Sequence, residues 1–332
     1  MIKCSEQYAL IDLHLHLDGS LSLNSVKKLA EIQSIAIPKD DEALKEMLQV
    51  SEGCRDLNEY LEKFEFPCSL MQTALGICTA VQNLEAELAA QGLLYAEIRF
   101  APQLHTLKGM TQGEVVAAAV SGMGQSALRS NLILCCMRGK DNHEANLETM
   151  HVAKEFLGKG VGGVDLAGAE ALFPTENFKE LFDLAKGWNI PYTIHAGEAA
   201  GPESVYKALE FGTKRIGHGI RSLEDEVLVK RLTEEGITLE LCPTSNLNTS
   251  IFSSYEEYPL RKLMEAGVKV TINTDNMTVS NTTVAAELQH MMEAVQLTEE
   301  EMHQLAENAA SAAFAEEETK CWLKEEIEKR FA

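Results

Sequence analysis

Eight short β-type runs recur along the chain, separated by amphipathic helical stretches, and this alternation constrains the fold more than any other feature. The runs are YALIDLHLH, LLYAEIRFA, NLILCCMR, GGVDLAG, IPYTIHAGE, KRIGHG, GITLELCP and KVTINTD. Helical stretches between them include SVKKLAEI, NFKELFDLAKGW and EDEVLVKRLTEEG. Strands that alternate with helices favour a parallel sheet, and eight such units predict an α/β fold, the (β/α)8 or TIM barrel.

The chain length and the spacing of the runs predict one domain over residues 1–332. A length of 332 residues is normal for a single barrel, and no Pro/Gly/Ser-rich linker divides the chain. The longest gap between predicted strands, residues 20–92, includes the helical stretch DLNEYLEKFEFPCSLMQT. An insertion after the first strand lies on the face where barrel active sites form, so we expect a helical lid there. Extra helical packing on the flank of the barrel is the alternative.

Charge and cysteine usage limit the partners. The 51 acidic and 29 basic residues give a formal net charge of −22, which opposes binding to nucleic acid or to anionic membranes. The eight cysteines form no Cys-x-x-Cys pair, and we expect them to be reduced. The N-terminal sequence lacks a signal-peptide pattern and no apolar run is long enough to span a bilayer. We therefore expect a cytoplasmic protein with a small-molecule partner.

The first strand-like run, LIDLHLHLDGS, ends on two histidines one residue apart. Because side chains alternate along a strand, His14 and His16 point to the same side. Two neutral imidazoles directed at one point are half of a metal site. A pair of hydrogen-bonded core histidines explains the same pattern, so the remaining strands must decide between the two interpretations.

Further polar side chains stand at the carboxyl ends of later predicted strands, where barrel enzymes place their chemistry. His195 lies near the end of the fifth run, and Asp275 ends the eighth. With the His-x-His pair they supply three imidazole nitrogens and one carboxylate oxygen, which fits a catalytic zinc ion with one position open to water. Iron or manganese suits the same ligands and remains an alternative.

Two more side chains at this rim are candidates for proton transfer. Glu198 follows His195 by three residues in HAGE and can reach the site without ligating the metal, although it also suits a helix cap. His218, in RIGHGI, is flanked by glycines and is placed to orient or deprotonate a metal-activated water, although a lone histidine at a strand end is more often structural.

With these residues in place, the sequence resembles the adenosine deaminase family of metal-dependent barrels. The resemblance covers almost the whole chain, and HLDGSL combined with HAGE and GHG is its most specific part. It implies that His14, His16, His195 and Asp275 bind one zinc ion per chain. It further implies that Glu198 passes a proton to purine N1, while His218 and Asp275 position the hydroxide that attacks C6. The quoted motifs are HLHLDGSL, YAEIRFAPQLH, VDLAGAE, IHAGE, RIGHGI, LCPTSN and INTD.

The same resemblance implies the substrate contacts. Asp18 matches the residue that hydrogen-bonds a ribose hydroxyl, and the backbone N–H of Gly168 matches the group that contacts purine N3. His16 is expected beside the substrate as well as on the metal. The implied reaction is hydrolysis of adenosine and 2′-deoxyadenosine to inosine, or deoxyinosine, and ammonia in purine salvage.

One position departs from the family pattern. Most of the family has paired aspartates followed by proline, whereas this chain has Asn276 and Met277 after Asp275. The second family acid must be protonated to donate to purine N7, but an asparagine amide donates without a raised pKa. We therefore expect Asn276 to preserve N7 recognition.

Two other functions remain open at this stage. A related aminohydrolase would act on adenine or on a modified adenosine, although Asp18 favours a ribose in the site. A catalytically inactive barrel would bind nucleosides without converting them, and the presence of Glu198 and of every expected zinc ligand argues against it.

Overall fold

The computed structural model describes residues 8–51 and 53–331. Its strands pair in parallel with their neighbours along the chain, β1 with β2 through β3 with β4, and β5 with β6 through β7 with β8. The strands are β1 (Leu10–His16), β2 (Leu93–Phe100), β3 (Arg129–Met137), β4 (Val161–Ala167), β5 (His195–Ala196), β6 (Arg215–His218), β7 (Thr238–Leu241) and β8 (Lys269–Ile272). Eight parallel strands in chain order are those that the sequence predicts.

Two seams join the four-stranded sheets into a closed barrel. Val164 of β4 bridges Tyr192, just before β5. Leu15 of β1 bridges Asp275, just after β8, where the Asp275 N–H donates to the His14 carbonyl at 2.7 Å and the His16 N–H donates to the Asp275 carbonyl at 2.7 Å. The predicted (β/α)8 architecture is therefore confirmed, and the second seam brings the first and last strand ends together.

Helices follow the strands as expected, with a larger group between β1 and β2. The helices of that group are α1 (Leu23–Gln33), α2 (Asp41–Leu48), α3 (Leu57–Leu61), α4 (Glu65–Ser69) and α5 (Ala74–Ala90). After β2 come α6 (Gln112–Gly122), α7 (His143–Phe156), α8 (Lys179–Trp188), α9 (Pro202–Glu210), α10 (Glu226–Glu234), α11 (Pro243–Asn248), α12 (Leu260–Glu265), α13 (Val284–Val295), α14 (Glu299–Ala312) and α15 (Glu317–Phe331). Short 3₁₀ helices cover Glu62–Phe64, Pro102–His105, Thr175–Phe178 and Ile220–Glu224.

Side-chain caps explain where several of these helices begin. Thr73 accepts the Gly76 N–H before α5, which satisfies a backbone donor that the helix itself leaves free. Thr111 and Glu114 form a reciprocal capping box at the start of α6. These short polar side chains break the apolar pattern and set the helix register against the barrel.

The two faces of β2 differ in chemistry. Ala96, Ile98 and Phe100 belong to the apolar core packed between strands and helices, whereas Glu97 and Arg99 occupy the alternate positions and are completely buried. Because side chains alternate along a strand, the charged pair faces the barrel interior. The side of β2 that faces the barrel interior is therefore charged at Glu97 and Arg99, while the side that faces the helices is apolar.

Charges from four strands meet in that interior and form what we call the ionic layer, which consists of Glu97, Arg99, Asp165, Arg215 and Glu240. Arg99 lies 2.9 Å from Asp165 and 2.9 Å from Glu240, and Arg215 lies 2.6 Å from Glu240 and 2.7 Å from Glu97. The Arg215–Glu240 contact joins the neighbouring strands β6 and β7, whereas the other three join strands that are not neighbours and therefore cross the barrel. Burial of charges is favourable only when they are paired in this way.

The structure differs from the sequence expectation at the fifth strand. IPYTIHAGE predicts a full-length strand, but only His195 and Ala196 form one. The preceding Tyr192 makes an isolated bridge to β4, so the segment is divided between two partners across the seam. Within residues 8–51 and 53–331, no helix combines the length and apolar composition needed to span a bilayer.

Candidate active site

The carboxyl end of the barrel holds every site residue that the sequence singles out. His14 and His16 are among the last three residues of β1. His195 begins β5, and His218 ends β6. Asp275 lies just beyond β8, on the β1 seam. The strand ends therefore bring together residues that are far apart in sequence, as expected for a barrel enzyme.

Imidazole and carboxylate atoms converge at this end. His195 Nε2 lies 3.0 Å from His14 Nε2 and 3.3 Å from His16 Nε2. Asp275 Oδ1 lies 3.5 Å from His14 Nε2 and 3.4 Å from His16 Nε2. His218 belongs to the same cluster, since His14, His195, His218 and Asp275 each offer an atom within 4.8 Å of the others. Such a donor set, buried and without sulfur, fits a divalent cation.

Two carboxylates of the ionic layer hold the imidazoles from below. Glu240 Oε2 lies 2.8 Å from His14 Nδ1, and Asp165 Oδ2 lies 2.9 Å from His195 Nδ1. A carboxylate on the far ring nitrogen orients a histidine and leaves its other nitrogen free to bind a metal. The sequence analysis missed both acids, although Asp165 lies in VDLAGAE and Glu240 in LELCP. A charged residue inside a predicted buried strand is the signal that could have found them.

Glu198 and His218 lie beside this cluster. Glu198 Oε2 is 3.7 Å from His218 Nε2, and the Glu198 side chain is buried. Burial raises the pKa of Glu198 well above its ordinary value, the carboxylates of Asp275 and Glu170 raise it further, and Arg138 lowers it. A carboxyl group that keeps its proton near neutral pH is suited to act as a general acid.

Glu170 fixes the loop that carries Glu198, and the sequence analysis did not single it out. Its carboxylate accepts backbone N–H groups from four consecutive residues, 197–200, at 2.7–3.0 Å, and the Ser204 hydroxyl also donates to it. Several charge-assisted hydrogen bonds on one buried carboxylate hold a loop rigidly. Position 198 is therefore set by Glu170 as well as by the β5 strand end.

Asn246 contacts the other ring nitrogen of His218. Its amide nitrogen lies 3.1 Å from His218 Nδ1, and the Tyr258 hydroxyl donates to the amide oxygen at 3.1 Å. Because Tyr258 occupies the amide oxygen, the amide N–H₂ faces the ring and donates to Nδ1. In the neutral ring the proton then sits on Nε2, the nitrogen nearest Glu198.

Two of the cluster residues adopt a backbone conformation that is rare for residues with a Cβ atom. His218 and Asp275 both have φ of 60°. Non-glycine residues in the left-handed region occur preferentially at functional sites, where the surrounding structure holds them. We call His14, His16, His195, His218, Glu198 and Asp275 the cavity layer.

All members of the cavity layer except His14, which lies behind them, line a cavity of about 320 Å³, which is large enough for a small organic ligand. Asp18, Gly168 and Asn276 also line it. Gly168 has φ of 106°, a conformation that side-chain-bearing residues rarely adopt. An apolar wall comes from the segment between β1 and β2, through Leu57, Tyr60, Leu61 and Phe64. A planar, partly polar ligand matches this combination.

Asn276 is packed tightly over the loop after β1. A Cβ atom on Gly19 would lie 1.8 Å from Asn276 Oδ1, so only glycine leaves room for this amide. Among the described residues, Asn276 Oδ1 has no hydrogen-bond partner although it is buried. An unsatisfied buried amide that lines a cavity is a candidate ligand contact.

Comparison with known proteins agrees with this geometry. The family model for adenosine deaminase matches residues 9–330. The chain belongs to the adenosine deaminase family. An adenosine deaminase from Haemophilus ducreyi is 48% identical over 340 residues, which is 100% of this chain and 99% of that protein. An adenosine deaminase from Enterococcus faecalis is 40% identical, covering 97% of this chain and 96% of that protein.

The fold is also shared with a solved structure of related chemistry. The crystal structure of an adenine deaminase from Arthrobacter aurescens superposes with a TM-score of 0.86 at 26% identity, covering 97% of this chain and 98% of that one. The barrel architecture of the family is therefore common to deaminases of different purines. The residues around the cavity must decide which purine this chain accepts.

Proposed function

We propose that this protein hydrolyses adenosine and 2′-deoxyadenosine to inosine or deoxyinosine and ammonia, as an enzyme of purine salvage. The observation that carries the proposal is the cavity layer. His195 lies 3.0–3.3 Å from the two imidazoles of β1, Asp275 lies 3.4–3.5 Å from those two, and Glu198 and His218 lie beside the cluster. Full-length relatives that are 40–48% identical and named adenosine deaminase support the same reaction.

His14, His16, His195 and Asp275 are the proposed ligands of one divalent metal ion, and zinc is the ion that suits their nitrogen and oxygen donors. A donor set of imidazole nitrogen and carboxylate oxygen without sulfur is typical of catalytic rather than structural zinc sites. When bound, the metal lowers the pKa of a water molecule and so supplies the nucleophile. Glu240 and Asp165 support two of the imidazoles from the ionic layer.

The remaining groups of the cavity layer move the protons. Glu198 donates a proton to purine N1, which makes C6 electrophilic, and its raised pKa keeps that proton available near neutral pH. His218 and Asp275 hold the attacking water toward C6. The attacking water gives up two protons: one passes to the amino group, which leaves as ammonia, and the other restores the proton of Glu198, while the 6-oxopurine product keeps the proton on N1.

Asp18, Gly168, Asn276 and His16 are the proposed substrate contacts, and each lines the cavity. Asp18 accepts a ribose hydroxyl, the Gly168 N–H donates to purine N3, and the Asn276 amide donates to N7. His16 is proposed both as a metal ligand and as a substrate contact, because it lines the cavity. Burial raises the pKa of Asp18 to about 6, so the carboxylate form needed to accept the ribose hydroxyl is favoured above that pH.

Adenine is the competing substrate, because the solved adenine deaminase shares the fold. Asp18 favours a nucleoside, since a free base offers no hydroxyl to this buried carboxyl group. The cytoplasmic location, the lid role of the segment between β1 and β2 and the single domain over residues 1–332 stay predictions.

The proposal is tested by the ultraviolet absorbance change when zinc-loaded protein meets adenosine, 2′-deoxyadenosine or adenine. We expect turnover of both nucleosides, with stoichiometric ammonia, and little turnover of adenine. Glu198→Gln should slow the change by at least about 100-fold, and Glu226→Gln, which alters an exposed acid of α10, serves as the matched control. Faster turnover of adenine than of adenosine contradicts the proposal.

A further inference from the structure

A second cluster of metal-binding residue types lies next to the cavity layer. Asp18 follows β1, Cys68 lies on α4 and His105 ends the 3₁₀ helix after β2. Each offers one ligand atom, and the three atoms lie within 4.8 Å of one another. Asp18 Oδ2 is 3.6 Å from Cys68 Sγ. Three different elements thus present a carboxylate, a thiol and an imidazole to one point.

The polar atoms of this cluster are largely unsatisfied. His105 is completely buried, and among the described residues neither of its ring nitrogens has a hydrogen-bond partner. The buried Asp18 Oδ1 also has none within that part of the chain. Buried polar atoms without partners are rare in folded proteins and call for a bound group or a functional explanation. A buried imidazole without partners in the described chain, beside a carboxylate that contacts a thiol of this cluster, is the kind of arrangement that an unassigned cation site requires.

The chemistry of the donors differs from that of the cavity layer. The cavity layer offers only nitrogen and oxygen, whereas this cluster adds sulfur, which favours zinc, cadmium and other thiophilic cations over magnesium or calcium. Burial lowers the pKa of His105 to about 4, outweighing the smaller opposite effect of the Met71 backbone, so its ring is neutral. A neutral ring keeps a lone pair for a metal.

We propose that Asp18, Cys68 and His105 form a second divalent-cation site, specific for thiophilic ions. Binding forms a bond between sulfur and the metal and releases the thiol proton to solvent. Cys68 is partly exposed, which gives an ion a route to the site. Asp18 lines the cavity, so the cation reaches the wall of the substrate site.

Occupation of this site has a consequence for catalysis that rests on the proposed function. A cation held by Asp18 withdraws the carboxylate from the ribose hydroxyl and adds positive charge at that wall. Excess zinc therefore raises the KM for adenosine and leaves kcat unchanged, because the cavity layer is untouched. The enzyme would be inhibited by the same ion that activates it.

Cobalt is the probe that separates the two sites. A thiolate ligand gives Co²⁺ an intense near-ultraviolet charge-transfer band, and the nitrogen and oxygen ligands of the cavity layer do not. We expect metal-free protein titrated with Co²⁺ to develop this band, saturating with one ion per chain at the thiolate site. Cys68→Ser should lose the band, and Cys321→Ser, which changes an exposed cysteine, should keep it.

His105→Asn is the second variant, because it keeps Cys68 and removes the imidazole. We expect the band to require at least about tenfold more Co²⁺ in this variant, with circular dichroism confirming that both variants are folded. Absence of the band in the wild type, or its persistence in Cys68→Ser, overturns the site. The cobalt readout needs no turnover, so it remains decisive if adenosine proves not to be the substrate.

The inhibitory role has its own test in the active enzyme. Zinc in excess of one ion per chain should raise the KM for adenosine several-fold in the wild type and not in Cys68→Ser. An equal rise in both proteins would assign the inhibition to another site and overturn the inhibitory role.

Discussion

The ionic layer and the cavity layer are stacked in one barrel, and both are rich in buried titratable groups. In the ionic layer every acid contacts a cation, as where Arg99 lies between Asp165 and Glu240. In the cavity layer the Glu198 carboxyl group forms no ion pair with an arginine or lysine of the described chain, and its Oε1 has no hydrogen-bond partner there. The paired acids of the ionic layer stabilise the fold as carboxylates. The unpaired Glu198 instead favours its protonated form, which is the form that a general acid needs.

The direction of the pKa shifts follows this difference. Burial raises the pKa of Glu240, but Arg215 and Arg99 outweigh it and hold the pKa well below its ordinary value. Burial also raises the pKa of Glu198, and there the nearby carboxylates add to the effect. The two layers are coupled, since Glu240 binds both Arg99 and His14. The lower layer thus fixes the geometry that the upper layer uses.

The largest expected effect comes from Glu198→Gln, which should lower kcat by about 10²–10⁴-fold. Glutamine imitates the protonated carboxyl group, so the free energy of unfolding of the metal-free protein should not fall. Steady-state kinetics and urea unfolding on the same samples measure both. A variant that loses activity and stability together would show that Glu198 also holds the fold.

The converse variant is Arg99→Met, which leaves Asp165 and Glu240 without one of their cations. We expect the free energy of unfolding to fall by about 3–5 kcal/mol, because buried acids lose their pairing. Urea unfolding of metal-free protein measures it. Arg231→Met, which breaks the Glu235 pair on the surface of α10, should change stability by less than about 1 kcal/mol. Equal effects of the two substitutions would contradict the role of the ionic layer.

Glu287 tests whether pairing, rather than burial, decides the shifts. It is completely buried on α13, where it accepts from the Thr244 N–H and the Thr282 hydroxyl and forms no ion pair with an arginine or lysine of the described chain, and burial raises its pKa from 4.5 to about 7. Because the folded pKa is raised, its stability contribution is complete below pH 4.5 and is lost as pH rises to about 7.

Glu287→Gln should therefore become more stable relative to the wild type as pH rises through this window, by up to about 3 kcal/mol. Paired urea unfolding curves at pH 4.5 and pH 8 give the difference. A stability difference that does not change with pH would mean that Glu287 is paired or hydrated in a way that burial does not reveal.

Asp165→Asn tests the connection between the layers. The amide cannot supply the negative charge that supports His195, so metal affinity should fall by about 10–100-fold. Competition with a coloured chelator measures the affinity. Glu85→Gln, a buried acid that accepts from Ser130 and Gly124 away from the barrel interior, is the control, and its metal affinity should stay at the wild-type value.

The smallest effect is expected at the substrate contact. Asn276→Ala removes one neutral hydrogen bond and should lower kcat/KM for adenosine by about 3–10-fold. Its discrimination against 7-deazaadenosine, which lacks the N7 acceptor, should fall by the same factor. Unchanged kcat/KM and unchanged discrimination would exclude Asn276 from N7 recognition.

The strand order and the position of every proposed site residue could be predicted from the sequence, because each strand end is marked by a polar residue after an apolar run. Histidines and acids that follow buried apolar runs converge once eight parallel strands close into a barrel. The predicted length of the fifth strand was wrong. Its segment pairs with β4 through Tyr192 and with β6 through His195, so no continuous strand forms.

The ionic layer was not predicted, because pairing across a barrel depends on which strands face each other. Glu97, Arg99 and Arg215 look like exposed positions of amphipathic strands when read along the chain. Glu170 was missed for a related reason, since its partners lie in a loop about 30 residues away. Contacts between strands that are distant in sequence produce no periodic pattern within a short window, so they cannot be predicted from such a pattern.

The seam between β1 and β8 has a consequence for the order of synthesis. Its contacts join residues about 260 positions apart, and Asp275 leaves the ribosome long after His14 and His16. The proposed metal ligands are therefore complete only when β8 has been synthesised and has paired with β1, and a chain that ends before β8 lacks the carboxylate of the set.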